Sequence, residues 1–268
     1  MLSLSTAFND GRFVGLMPPD IVLVSSDETL FYVHGTILSA SSFCRAVANL
    51  HSGLPPNCAM SLTLYPCPLP HHSNKIWVKM NDIIADELNI ILHALYDISC
   101  ANFHPTFDII DRAVDKMSSI FDLVVNIVVR PGKELYIYLS TITPLQPLRV
   151  YALAAHHKIH GLAVNASAHL LSYPLEAIPD EESERIGGIY LRKLCLLQNG
   201  RKERLIELLI SPPRPHPSVP GCGLLEQKVV KALWAGALLP LIHNLRAGES
   251  ISSFVVSHRF GRRRAKSF

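Results

Sequence analysis

Charge and aromatic side chains are both scarce: Asp, Glu, Lys and Arg make up 18% of the 268 residues, and Phe, Trp and Tyr 7%. With 49% hydrophobic residues, the chain lies far from the polar, highly charged compositions that stay unfolded. The formal net charge of +3 is a mild excess that argues neither for nor against nucleic acid as a partner. Six cysteines (Cys44, Cys58, Cys67, Cys100, Cys195, Cys222) are spread too thinly for a disulfide scaffold. The opening "MLSLSTAFNDGRFVG" has neither a basic start nor a long apolar run, so no signal peptide is expected. The expected setting is intracellular and reducing, in the cytoplasm or nucleus. No run approaches the roughly 20 apolar residues that cross a bilayer. The best, "VVKALWAGALLPLI" at 229–242, contains Lys231 and Pro240 and reads as a buried helix.

Several signatures of chemistry are also missing. There is no GxxxxGK[ST] phosphate cradle, no GxGxxG after a strand, no GxSxG elbow and no HExxH. Neither a cofactor nor a small-molecule substrate is expected, and no catalytic residue stands out.

The chain does carry a clear order of elements. Residues 20–24, "DIVLV", and 30–33, "LFYV", read as two strands joined by the polar turn "SSDET". From Gly35, Ile37, Leu38, Phe43, Val47 and Leu50 recur at helical spacing. Strands are expected at 61–65 and 76–80 around a proline-rich loop. A helix is expected at 84–98, with Asp86 and Glu87 at the positive end of its dipole, and another at 106–117. Residues 121–129, "FDLVVNIVV", are strand-like in composition, with a helix as the alternative. The second half reads as helices: 148–172 broken at Gly161, 179–210 with Asp180 as N-cap, and 224–245. Five prolines within 211–222 mark a loop between the last two. The fold class is therefore α+β: a short mixed sheet flanked by helices, then an all-helical extension.

Thirteen histidines raise the question of metal. His156 and His160 lie four apart, a spacing that chelates zinc on a helix face. Cys58, Cys67, His71 and His72 supply zinc-compatible ligands but lack the tight CxxC knuckle. The preferred reading assigns no metal site. The acids Glu181, Glu182 and Glu184 serve a helix dipole, and "RRRAK" near the C-terminus reads as a solvated tail or an import signal. Without interleaved aromatics that tail is a poor nucleic-acid surface. His34, between a strand and a helix start, reads as a corner post that hydrogen-bonds both.

Asp20 with its strand, the hairpin, "FYVH" ending at His34, then Leu38, Ser42 and Phe43, resembles the opening of the BTB (POZ) domain. Residues 76–97 resemble that family's next strand and helix, and 150–171 its closing helical pair. Residues 184–222 are similar to the extension of BTB proteins abundant in mushroom-forming fungi. The resemblance divides the chain into an arm at 1–17, a BTB-like domain at 18–175 with an insertion around 97–148, a helical extension at 176–245, and a basic, mobile tail at 246–268. It implies a non-enzymatic protein-interaction module that associates with itself or with another protein, without membrane or nucleic acid. Phe8, Phe13, Leu16 and Val47 are the interface candidates. Many dimeric members carry a basic residue after the corner histidine that pairs with the strand aspartate. Gly35 stands there, so Asp20 is expected to lack that partner. A cullin ubiquitin-ligase adaptor is the alternative, though 48–64 contains no acid of the kind such adaptors often carry. A zinc-binding protein is the second alternative.

Overall fold

A computed structural model describes residues 2–13, 17–38, 62–64, 75–212 and 214–246. Five strands, β1 (Ser3–Leu4), β2 (Ile21–Val24), β3 (Thr29–Val33), β4 (Leu62–Leu64) and β5 (Ile76–Met80), form one mixed sheet in the order β1-β3-β2-β5-β4. The β2–β3 hairpin is antiparallel, with Ile21 opposite Val33 and Val24 opposite Leu30. Strands β2 and β5 run parallel, and β1 runs parallel to β3. All four residues of β2 are buried, as expected of a strand covered on both faces. Val22, Val24, Leu30, Tyr32 and Trp77 pack together on one of those faces.

Polar turn chemistry closes the hairpin and reaches into the next element. The Ser25 hydroxyl donates to Asp27 and accepts from the Thr29 amide at 3.0 Å, while Glu28 takes the left-handed conformation (φ 65). The same Asp27 accepts from the Ala85 amide at 3.0 Å, and the Ser26 amide donates to the Ile83 carbonyl at 2.8 Å. The turn thereby holds the start of a helix 58 residues further on.

The first helix, α1, is short (Gly35–Leu38). Then come α2 (Ala85–Tyr96), α3 (Phe107–Ser119), α4 (Val125–Val128) and α5 (Glu134–Ile142). Helix α2 ends where Asp97 turns left-handed (φ 55), with the Ile98 amide donating to the His93 carbonyl at 2.9 Å. The Asp97 carboxylate then accepts from Lys133 Nζ at 3.0 Å and from the Glu134 amide at 3.1 Å, capping α5. The strand-like segment 121–129 contains α4 instead. Its amides bond locally, Val129 to the Val125 carbonyl at 2.7 Å, because a β-branched run with no strand beside it among the described residues still has to satisfy its backbone.

The chain divides into two compact units: Met1–Leu145 with His157–Ala163, and Gln146–His156 with Val164–Phe268. That division does not coincide with the boundary expected at residue 175. In the second unit α6 (Pro147–His156) is buried continuously from Val150 to Ala155. It meets α8 (Asp180–Ile210) where Tyr151 Oη donates to the Tyr190 carbonyl at 2.8 Å. Helix α7 (His160–His169) begins after a turn at His157–Ile159, where Lys158 has φ 58; the break therefore precedes Gly161. The Gln198 side-chain amide donates to the Leu170 and Tyr173 carbonyls at 2.8 and 2.9 Å, which ties the residues after α7 to α8. Two expectations for 179–210 are corrected. Pro179, not Asp180, precedes the first helical residue, and α8 is interrupted at Gly187 (φ 72, ψ 156). The last helix, α9, spans Leu224–Arg246. No helix among the described residues is long and apolar enough to cross a membrane.

Candidate functional site

His34 sits between β3 and α1, and every polar atom of its corner is committed. Its Nε2 lies 2.6 Å from the Met17 carbonyl, which can only accept, so Nε2 carries the proton. Nδ1 then accepts from Tyr96 Oη at 2.9 Å, and the same hydroxyl accepts the His34 amide at 2.8 Å. The His34 carbonyl accepts the Ile37 and Leu38 amides at 3.1 and 3.3 Å. One residue therefore joins the N-terminal arm, β3, α1 and the end of α2. This is the corner post expected from its position, but the tyrosine and the arm carbonyl were invisible in sequence because they lie 62 and 17 residues away.

Gly35 gives that corner its shape. Its amide donates to Asp20 Oδ1 at 2.7 Å, so the strand aspartate holds a backbone N–H. A Cβ at 35 would sit 3.0 Å from Asp20 Oδ2 and 3.2 Å from Ile21 Cδ1, tighter than ordinary contacts. A larger residue at 35 would have to displace the aspartate.

Burial raises the Tyr96 hydroxyl to about 12; the hydrogen bond from His34 works against that rise and the Asp20 charge adds to it. A proton held more tightly in the folded state stabilises below the ordinary value near 10, and that stabilisation is lost as pH rises toward 12. Tyr96→Phe should cost about 1–3 kcal/mol at neutral pH, because the His34 amide loses its acceptor. Urea titrations should also show a shallower loss of stability between pH 10 and 12 in the variant.

Phe8 was an interface candidate; it is a core residue. It is 1% exposed and meets the rings of His93 at 5.0 Å, Tyr96 at 5.3 Å and Phe31 at 6.4 Å. Pairing of β1 with β3, and the Tyr32 amide donating to the Phe8 carbonyl at 2.9 Å, fold the arm onto the sheet. Leu38 is fully buried. Phe13 ends a 3-10 turn at Asp10–Phe13, and its side chain lies outside the described residues. Leu16, Ser42, Phe43, Val47, Cys58, Cys67, His71, His72 and the basic tail also fall outside them.

His156 and His160, four apart in the sequence, do not share a helix face. His156 ends α6 and His160 begins α7, with the turn at His157–Ile159 between them. His157, in that turn, places its Nε2 2.7 Å from Asp115 Oδ1. Glu87, read as a dipole partner, is 2% exposed and bonds Arg112 Nε at 2.7 Å and Lys116 Nζ at 2.6 Å. It is a buried junction between α2 and α3.

The remaining candidate is a surface. Helix α9 rests against α8 through one side: Gln227 is buried, Leu238 is half-buried, and Trp234 Nε1 donates to the Leu209 carbonyl at 2.9 Å. At 3.6 residues per turn the opposite side carries Leu225, Val229, Ala232, Leu233, Gly236, Leu239 and Pro240. All seven are exposed, Leu225 by 74%, Leu239 by 72% and Leu233 by 68%. The expectation of a buried helix at 229–242 is thus corrected. Its apolar residues run all round the helix, and α8 covers only one side. Glu226 and Lys228 lie on the flanks, and Lys231 lies toward the α8 side.

No family model matches the chain, and no curated protein matches it. The surface must therefore be interpreted from its own geometry. Leu225, Val229, Ala232, Gly236 and Leu239 are spaced four, three, four and three, the spacing of a seam between two helices. In its middle, nothing lies within 4 Å of where a Gly236 Cβ would project. A second helix backbone can approach closely there, with leucines packing to either side.

Proposed function

We propose that the chain is a non-enzymatic protein-association module of the BTB type, and that it binds a second copy of itself through the outward face of α9. The observation that carries the proposal is the unbroken apolar seam on that face. Leu225, Val229, Leu233 and Leu239 are each more than half exposed, and the face offers on the order of 500 Å² of apolar surface. That is near the top of what monomers expose, and approaches the roughly 800 Å² that each side of a stable interface contributes. A seam of four-three spacing is complementary to its own copy and suits a two-fold arrangement. The BTB part of the reading rests on the order of hairpin, His34 corner, β5 and α2. An intracellular setting, in the cytoplasm or nucleus, belongs to the same proposal and rests on the sparse cysteines.

Light scattering on the full chain tests self-association. The wild type is expected to run as a dimer at tens of micromolar. Leu225→Glu with Leu233→Glu should be monomeric, with an unchanged circular dichroism spectrum because both side chains are exposed. A monomeric wild type sinks the proposal, whereas a dimer that survives the double substitution moves the interface elsewhere.

A further inference from the structure

The loop before α9 brings a thiol and an imidazole together. Cys222 Sγ lies 3.2 Å from His216 Nε2, and His216 Nδ1 lies 2.7 Å from the Pro217 carbonyl. A carbonyl only accepts, so Nδ1 carries the ring proton and Nε2 is free to take the proton of the thiol. This is the logic of an activated nucleophile: a thiol, a base within hydrogen-bond reach, and a third group that sets the tautomer of the base.

Local backbone geometry presents the pair. The Cys222 amide donates to the Val219 carbonyl at 2.9 Å, closing a turn with Pro220 and Gly221 at its centre. Gly221 has φ 85, which a type II turn requires at its third residue and which a side chain would strain. The Gly223 amide is held by Glu226 Oε2 at 2.8 Å, so α9 starts two residues after the cysteine. From α9, Gln227 Nε2 donates to the His216 carbonyl at 2.9 Å and anchors the other member of the pair. Gln227 is 9% exposed, and its Oε1 accepts no hydrogen bond among the described residues. Cys222 itself is only half-buried, so a small reagent can reach the sulfur.

We propose that Cys222, activated by His216, is a site of covalent modification by low-molecular-weight disulfides of the glutathione class. The thiol proton passes from Sγ to His216 Nε2, and the sulfur attacks one sulfur of the disulfide. A Cys222–glutathione S–S bond forms as the glutathione S–S bond breaks, and the departing thiolate takes the proton from His216. Cys222 is oxidised, the departing sulfur is reduced, and no other reactant is needed.

The same chain contains its controls. Cys195, on α8, is also half-buried. Cys100 is 2% exposed, and burial pushes its thiol up to about 11, which makes it inert at neutral pH. The full-length protein is treated with oxidised glutathione at pH 7 and, separately, with iodoacetamide, and each cysteine is followed by peptide mass spectrometry. With His216 within hydrogen-bond reach of its sulfur, Cys222 is expected to react about tenfold faster than Cys195, with Cys100 unreacted. His216→Gln should remove the excess at Cys222 and leave Cys195 unchanged. His216 is exposed, and an unaltered circular dichroism spectrum verifies the fold. Reaction of Cys222 no faster than Cys195, or an excess that persists in His216→Gln, overturns the proposal.

Discussion

Replacing Glu87 with alanine should lower the unfolding free energy by about 2–4 kcal/mol, a large fraction of the 5–15 kcal/mol typical of a domain. The carboxylate is 2% exposed and receives Arg112 Nε at 2.7 Å, Lys116 Nζ at 2.6 Å and the Ile84 amide at 3.3 Å. Removing it takes the shared acceptor from two cations and an amide at the α2–α3 junction, with Lys116 keeping the Asp82 carbonyl at 2.6 Å. The cost stays below the upper limit for broken buried pairs because the Arg112 side chain is 52% exposed and can turn to water. Burial by itself pushes this carboxyl up. Hydrogen bonds from Lys116 and Arg112, the Lys116 charge and the Ile84 amide outweigh it and hold Glu87 below its ordinary value of 4.5. The unfolded chain therefore takes up a proton on acidification before the folded chain does. The stability Glu87 contributes is present above pH 4.5 and lost as pH falls through the lower folded value. Denaturant melts of wild type and Glu87→Gln from pH 6 to pH 3 check this: the wild type should lose stability more steeply below pH 4.5. Parallel curves would refute the assignment of this carboxylate as an acid-sensitive junction.

Phe8→Ala is expected to be at least as damaging, at about 3–5 kcal/mol, the usual cost of emptying a buried aromatic site. The ring fills a space bounded by Phe31, His93 and Tyr96, so its loss removes contacts to a strand and a helix at once. Leu4→Ala, four residues earlier and 54% exposed, should change stability by no more than about 0.5 kcal/mol. Urea unfolding of both variants separates two roles for the arm. A Phe8 that serves only as a docking residue would leave the midpoint unmoved and weaken association instead.

Local pattern accounts for much of what could be read in advance. The hairpin, β5, α2, α3 and α9 lie within a residue or two of where alternation, helical spacing, turn residues and first-turn acids placed them. Those signals act over a few residues and need no distant partner. The misreadings share one cause. Segment 121–129 has strand composition but no strand beside it among the described residues, and the break ahead of α7 falls at Lys158 because a lysine there adopts the conformation usually reserved for glycine. Phe8 looked like an exposed anchor because the groups that bury it come from residues 31, 93 and 96.

The candidate sites divide the same way. His34 could be placed at a corner from its neighbours, since a strand end and a helix start flank it, but its bonds to Tyr96 and Met17 come from chain closure. The apolar residues of α9 were plain to read, yet whether they were covered depended on how much of the helix α8 could reach. Cys222 and His216 are six residues apart, a spacing without meaning until the turn at Pro220–Gly221 folds one back on the other. By itself, then, the amino-acid order determined the α+β class, most element positions and the corner histidine, all of which depend on short-range sterics and periodicity. Tertiary structure alone decided which apolar residues are buried and which polar groups meet. Burial and pairing depend on what the rest of the chain brings alongside, and nothing in a local stretch records that.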